Sequence, residues 1–95
     1  MKSSSILQKD PLKCYLCGAA ATETHHIFGG ANRAKSDKYG LTVRLCHWCH
    51  NEPPNGAHYS KVTMDALRRN GQRAAMDKYS WDIGRFVREF GKNYL

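Results

Sequence analysis

Residues 41–50, Leu41-Thr42-Val43-Arg44-Leu45-Cys46-His47-Trp48-Cys49-His50, decide the fold. Leu41, Val43 and Leu45 alternate with Thr42 and Arg44, the period-two pattern of a half-buried strand. That strand runs without a break into Cys46-x-x-Cys49, and a matching pair, Cys14-x-x-Cys17, stands upstream between Pro11 and Gly18. Two such pairs present four thiolates in a tetrahedron to one structural Zn²⁺. The segment between them, residues 18–45, is longer than the spacer of a compact zinc finger, so it must fold as a ribbon that brings the pairs together. After Met1, the stretch Met1–Lys9 has only Ile6 and Leu7 as apolar residues, so no secretory signal is expected. A reducing cytosol then disfavours disulfides. A redox Cys-x-x-Cys would need a βαβ pattern beside it, which the sequence lacks.

Working outward, Ala19–His26 reads as a first strand, broken by Gly29-Gly30, and residues 31–40 read as a polar, basic loop. Pro53-Pro54-Asn55-Gly56 is a strong turn signal. A helix is expected from Ser60 or Thr63, both credible N-caps, through Tyr79, with Leu67, Ala74 and Ala75 on its apolar face and Gly71 weakening it. A second helix is expected over Trp81–Phe90 with Ser80 as its cap and Trp81, Phe86 and Phe90 as packing residues. The expected fold is α+β: a flexible lead-in over residues 1–10, then a single domain over 11–95, with a zinc-stapled ββ core at 11–60 and helices at 61–95.

Length and charge bound the function. A chain of 95 residues is one domain with one small core. No apolar run approaches the ~18 residues of a membrane span. The formal net charge is +7 and the isoelectric point near 9.5, which favours a polyanionic partner, most often nucleic acid. So small a core leaves open a homodimer through the apolar C-terminal helix as well as a monomer.

Five histidines are the remaining chemistry. His25 and His26 end the first strand, His50 follows the last cysteine, and His58 follows the Asn55-Gly56 turn. A zinc staple that draws the ribbon onto the next element carries His50 back toward His25 and His26, and converging imidazoles hold a divalent metal. Strict alternation points His25 and His26 to opposite faces of a strand, so a twist or bend before Gly29 is needed for both to reach one site.

The order Cys-x-x-Cys, Glu23-Thr24-His25-His26-Ile27, Leu45-Cys46-His47-Trp48-Cys49-His50 resembles the HNH (ββα-metal) endonucleases over about residues 12–60. Asn55-Gly56-Ala57-His58 and Phe90-Gly91-Lys92-Asn93-Tyr94-Leu95 are similar to small phage-encoded HNH proteins. The resemblance implies hydrolysis of DNA phosphodiester bonds, with His26 as general base and His25 and His50 as ligands of a catalytic Mg²⁺, Mn²⁺, Ni²⁺ or Zn²⁺. It implies 5′-phosphate and 3′-hydroxyl products from double-stranded DNA, and the cytoplasm of a bacterial host if the chain is phage-encoded. The family ligand four residues after His50 falls on Pro54, which cannot ligate; His58 substitutes if residues 53–56 form an inserted turn. The family asparagine that braces the loop falls on Leu41, with Asn32 and Asn51 as alternative braces. Arg33, Lys35 and Lys38 in the loop, Arg44 on the second strand, and Arg69 and Arg73 one turn apart on the helix are candidate phosphate contacts. His47 reads as facing solvent or phosphate, and Trp48 as packing. The rival readings are a non-catalytic zinc-dependent DNA-binding module, an accessory or interaction module on the same scaffold, and a nuclease for RNA or branched DNA.

Overall fold

The computed structural model describes residues 4–95. Its one sheet among these residues has two antiparallel strands, β1 (Glu23–His26) and β2 (Thr42–Leu45), paired in the register Glu23↔Leu45, Thr24↔Arg44, His25↔Val43 and His26↔Thr42. Between them lie a 3₁₀ turn (Gly30–Asn32) and helix α1 (Arg33–Tyr39). After β2 come α2 (His47–Asn51), α3 (Lys61–Tyr79) and α4 (Ile83–Phe90). The arrangement is a small compact α+β fold, and no helix among the described residues is long and apolar enough to cross a membrane.

The first strand is shorter than the expected Ala19–His26, because residues 19–22 serve the cysteine knuckle instead. Ala20 makes an isolated bridge with Lys13, and Thr22 N–H donates to the Leu45 carbonyl at 3.0 Å. Tyr15 N–H donates to the Arg44 carbonyl at 2.9 Å, so the first knuckle docks along β2 and meets the second knuckle at that strand's end.

The expected loop at residues 31–40 is helical instead. Its sequence, Arg-Ala-Lys-Ser-Asp-Lys-Tyr over α1, has no apolar stripe, and tertiary contacts hold it. The buried Ser36 hydroxyl accepts from Phe28 N–H at 3.0 Å and donates to the Phe28 carbonyl at 2.7 Å. One side chain thereby satisfies both backbone groups of a buried residue, each of which would cost about 1–3 kcal/mol if left unpaired. Tyr39 packs edge-on against Tyr79 and Trp81.

Residues 4–10 belong to no helix or strand, as a lead-in should, but they are tied down rather than free. Ile6 N–H donates to the Gly40 carbonyl at 2.9 Å, and Arg44 N–H donates to Gln8 Oε1 at 2.7 Å. The rest of the expected lead-in, residues 1–3, lies outside the described residues.

Helix α3 begins as expected: Ser60 Oγ accepts from Thr63 N–H at 3.2 Å, the N-cap bond that satisfies an orphan donor. Gly71 does more than weaken this helix. A Cβ there would stand 3.1 Å from Ile27 Cγ2 and 3.2 Å from Phe28 Cε2, so the missing side chain lets α3 close onto the segment after β1. Ser80 does not cap the second helix; it ends α3 in the left-handed conformation, and Asp82 caps α4 by accepting from Arg85 N–H at 2.7 Å. Phe86 and Phe90 of α4 pack on Phe28, with ring centroids 5.5 Å and 4.8 Å away. The apolar face of α4 is therefore spent on the chain's own core.

Candidate metal centre

Cys14 and Cys46 are buried, Cys49 is half-buried and Cys17 is exposed, and their ligand atoms all lie within 4.8 Å of one another. Cys17 Sγ and Cys46 Sγ are 3.7 Å apart. Four sulfurs at about 2.3 Å from a tetrahedral zinc stand about 3.8 Å apart along each edge. The cluster therefore fits a Cys₄ zinc. Burial works against ionisation of Cys14, but hydrogen bonds from the backbone of Cys46, Cys17 and Leu16 outweigh it and lower the thiol to about 6. Burial, then the neighbouring Cys46, Cys17 and Cys14 sulfurs, push Cys49 up. Crowded thiolates oppose one another's ionisation, and a divalent cation removes that opposition.

Helix α2 couples this cluster to a second one. Cys46 precedes it, Cys49 lies on its last turn, and His50 follows directly. The Pro53–Gly56 turn then doubles back: Gly56 N–H donates to the Glu52 carbonyl at 2.7 Å, Ala57 N–H to the Cys49 carbonyl at 2.7 Å, and His58 N–H to the His50 carbonyl at 3.2 Å. Only glycine fits at position 56, since a Cβ would lie 2.6 Å from the Glu52 carbonyl oxygen and 2.7 Å from its nitrogen. The turn sets His58 beside His50, as an inserted turn was expected to do.

His25, His50 and His58 form the second cluster, with ligand atoms within 4.8 Å of one another. Their rings lie edge to edge or tilted, with centroids 5.1 Å (His25–His50), 5.2 Å (His25–His58) and 4.6 Å (His50–His58) apart. His50 Nε2 and His58 Nε2 are 2.9 Å apart. Nitrogens at about 2.0–2.1 Å from a tetrahedral metal stand about 3.3 Å apart, so a small outward shift admits an ion. His25 Nε2 is buried with no hydrogen-bond partner. A buried ring nitrogen without a hydrogen-bond partner is free to ligate a metal ion. Burial, then the neighbouring charges of His50 and His58, lower His25 to about 3, which keeps it neutral and able to ligate near pH 7.

Glu23 organises the approach to this cluster. Its carboxylate accepts from His50 Nδ1 at 2.7 Å, His47 Nδ1 at 2.8 Å and Asn51 Nδ2 at 2.8 Å. The hydrogen bonds with His47 and then His50 hold Glu23 down to about 2. With its Nδ1 proton given to Glu23, His50 presents the Nε2 lone pair to the cluster. Replacing Glu23 with alanine should therefore weaken binding of a second zinc or nickel ion by about 10- to 100-fold, read by metal titration of the Cys₄-loaded protein. An unchanged second affinity would deny Glu23 this role.

His26 stands apart from the three imidazoles. Strand alternation sends it to the other face, where its Nε2 lies 2.8 Å from Asp37 Oδ1 of α1. The expected bend does not bring His25 and His26 into one ligand set. The family-asparagine position, Leu41, is fully buried, and its carbonyl accepts from Ile27 N–H at 3.1 Å. Asn51 joins the Glu23 network, whereas Asn32 donates to the Phe90 carbonyl at 3.0 Å and braces α4.

The expected phosphate contacts divide. Arg33, Arg69 and Arg73 are exposed. Lys38 lies over the Tyr39 ring, 5.1 Å from its centroid. Lys35 does not stand free in a loop: its ammonium donates to the Glu89 carbonyl at the end of α4. Arg44 is half-buried and donates through Nη1 to Thr24 at 2.8 Å. His47 is held between Glu23 and Glu52, and Trp48, expected to pack, is 72% exposed.

Two residues beside the site, Glu23 and Asp37, were not among the expected site residues. Glu23 had a usable signal, since residues two apart on a strand share a face and Glu23 stands two before His25. Asp37 had none, because its partner is set by helix packing. Comparison with family models, curated proteins and solved structures finds no match to this chain.

Proposed function

We propose that the chain is a metal-dependent endonuclease of the ββα-metal (HNH) type that hydrolyses DNA phosphodiester bonds. The observation that carries this reading is the convergence of His25, His50 and His58 at the end of β1, whose last residue, His26, is held by a carboxylate. The four cysteines act as a structural zinc staple, because a Cys₄ zinc has no open position for substrate. A divalent ion on the three imidazoles supplies positive charge for the phosphate and the leaving 3′-oxygen.

The chain's own residues do the rest. Asp37 accepts the Nε2 proton of His26 and fixes its ring, leaving Nδ1 as the basic nitrogen. Because His26 lies on the other face of β1 from the three imidazoles, this reading requires the scissile phosphate to span the end of the strand. There His26 Nδ1 takes a proton from water, the hydroxide attacks phosphorus in line, the bond to the 3′-oxygen breaks, and that oxygen takes a proton from solvent. Glu23 orients His50, and His25 is kept neutral by its burial. Protein freed of loosely bound metal, with zinc retained on the cysteines, should convert supercoiled plasmid to nicked or linear DNA when Mg²⁺, Mn²⁺, Ni²⁺ or Zn²⁺ is added, and not in chelator. Absence of conversion with every ion would overturn the reading.

The second reading is a non-catalytic, zinc-dependent DNA-binding module. The buried Leu41 in the place of the family asparagine favours it. Such a module retards DNA in a gel, binds one zinc tightly and cuts nothing.

A further inference from the structure

Two cations share one aromatic ring beside the histidine cluster. The Arg68 guanidinium lies 5.6 Å from the Tyr94 ring centroid and the Lys92 ammonium 5.4 Å from the same centroid. Neither makes an ion pair with a described residue, and Arg68 Nε is buried with no hydrogen-bond partner. Arg68 lines two cavities, of about 380 Å³ and about 240 Å³, and His58 lines both. The larger is also lined by Lys92, Lys61 and Asp65. Asp65, the one carboxylate in that lining, is 2.6 Å from Lys61 Nζ and feels the charge of Arg68 at longer range, so one carboxylate faces three cations, Lys61, Arg68 and Lys92.

Arg68 and Lys92 also line one cavity beside that ring, and an anion bound there offsets the repulsion between their like charges. An arginine fork and an ammonium are also the two side-chain types that grip phosphate, the first by paired hydrogen bonds and the second as a point charge. The ring contributes too, since a cation over an aromatic face is held in place without using its N–H donors. Arg68 therefore keeps its donors for a ligand while its position is fixed. The neighbouring Arg69 lines a third cavity with Lys92 and Tyr94, so positive charge continues along α3 away from His58.

We infer that Arg68 and Lys92 form a phosphate-binding subsite next to His58 that grips the backbone diester of a nucleic acid. Nucleic acid as the source rests on the nuclease reading; the subsite itself rests on the placement of the two cations. The smaller cavity, lined by Gly29, Gly30, Asn32 and His58, lies on the side of Arg68 where the strand carrying His25 and His26 ends. A diester gripped at Arg68 is thus presented to the imidazoles rather than to the cysteine staple.

The test uses the full chain loaded with two equivalents of zinc, and two probes, inorganic phosphate and a short DNA duplex. Binding is read by chemical-shift changes at His58 and Tyr94 and by duplex affinity across a salt series. The wild type should bind both. Arg68→Ala should weaken both at least tenfold and flatten the duplex salt slope by about one. Arg68→Lys, which keeps the charge and the ring contact, should recover part of the loss, and Lys92→Ala should weaken both several-fold. Arg85→Ala, which removes a cation paired with Glu89 on α4, should change neither.

Unchanged binding of both probes by folded Arg68→Ala and Arg68→Lys overturns the subsite, even if the wild type cuts plasmid. Loss of duplex binding in Arg68→Ala, with no plasmid cleavage by the wild type, upholds the subsite and overturns the nuclease reading. Binding of inorganic phosphate with no binding of duplex overturns nucleic acid as the source.

Discussion

Replacing Cys46 with serine, or stripping metal with a strong chelator, should unfold this protein. Cys46 stands at the junction of three things: the end of β2, the start of α2, and the cysteine cluster. Cys14 and Cys46 are also members of the hydrophobic core, with Leu45 and Val43 beside Cys46 in sequence. Residues 11–22 hold no helix or named strand; their attachment to β2 runs through a few backbone hydrogen bonds, such as Tyr15 to Arg44 and Thr22 to Leu45. Structural zinc contributes about 10–16 kcal/mol of apparent binding free energy in zinc-finger peptides, and a whole domain is stable by only about 5–15 kcal/mol. Removing one thiolate takes away much of the first quantity, which is as large as the second. Far-UV circular dichroism, a thermal melt and metal analysis on the wild type and Cys46→Ser check this. A zinc-free variant that still melts cooperatively near the wild-type temperature would show that the staple is dispensable.

Under the proposed nuclease reading, His26→Ala should lower metal-dependent cleavage by about 10²- to 10⁴-fold, the usual contribution of a positioned base, without changing the fold or the zinc content. The fold should survive because the side chain is not in the hydrophobic core, and it hydrogen-bonds to the half-exposed Asp37. Losing that bond costs about 1 kcal/mol. Asp37→Asn should lower cleavage less than His26→Ala, since an amide still holds the ring but no longer selects the tautomer that leaves Nδ1 basic. Second-metal affinity should be preserved in both, because His26 lies outside the three-imidazole cluster. If His26→Ala cuts as well as the wild type, the base lies elsewhere. If it loses the second metal, His26 is a ligand and the division of roles between the two strand-end histidines is reversed.

The contrast between His25 and His26 shows how much of the site can be read along the chain. Alternation separates them onto two faces, and the structure obeys it, one ring in the imidazole cluster and one on Asp37. What alternation cannot supply is the partner on the second face. Helix α1, which carries Asp37, has the sequence Arg-Ala-Lys-Ser-Asp-Lys-Tyr and no apolar period. It exists because Ser36 and Tyr39 find partners more than seven residues away, and a local pattern carries no trace of such partners. Ser80 failed as a cap for a related reason: a serine can cap the helix after it or end the helix before it in a left-handed turn, and the packing of α3 and α4 selects the second.

By itself the sequence determined the local features, because each rests on contacts within a few residues. The paired Cys-x-x-Cys spacing, the alternation of residues 41–45 and the Ser60 cap all survive into the structure in the expected places. It also determined the charge, which depends on composition alone. The tertiary structure decided which groups meet. Only folding carries His58 back over His50 through a turn that accepts glycine alone at position 56, sets Glu23 behind His50, and leaves Arg68 and Lys92 over one ring at the edge of the cluster. Those contacts join elements distant in sequence, and the burial that strips water from His25 Nε2 arises only once they have closed.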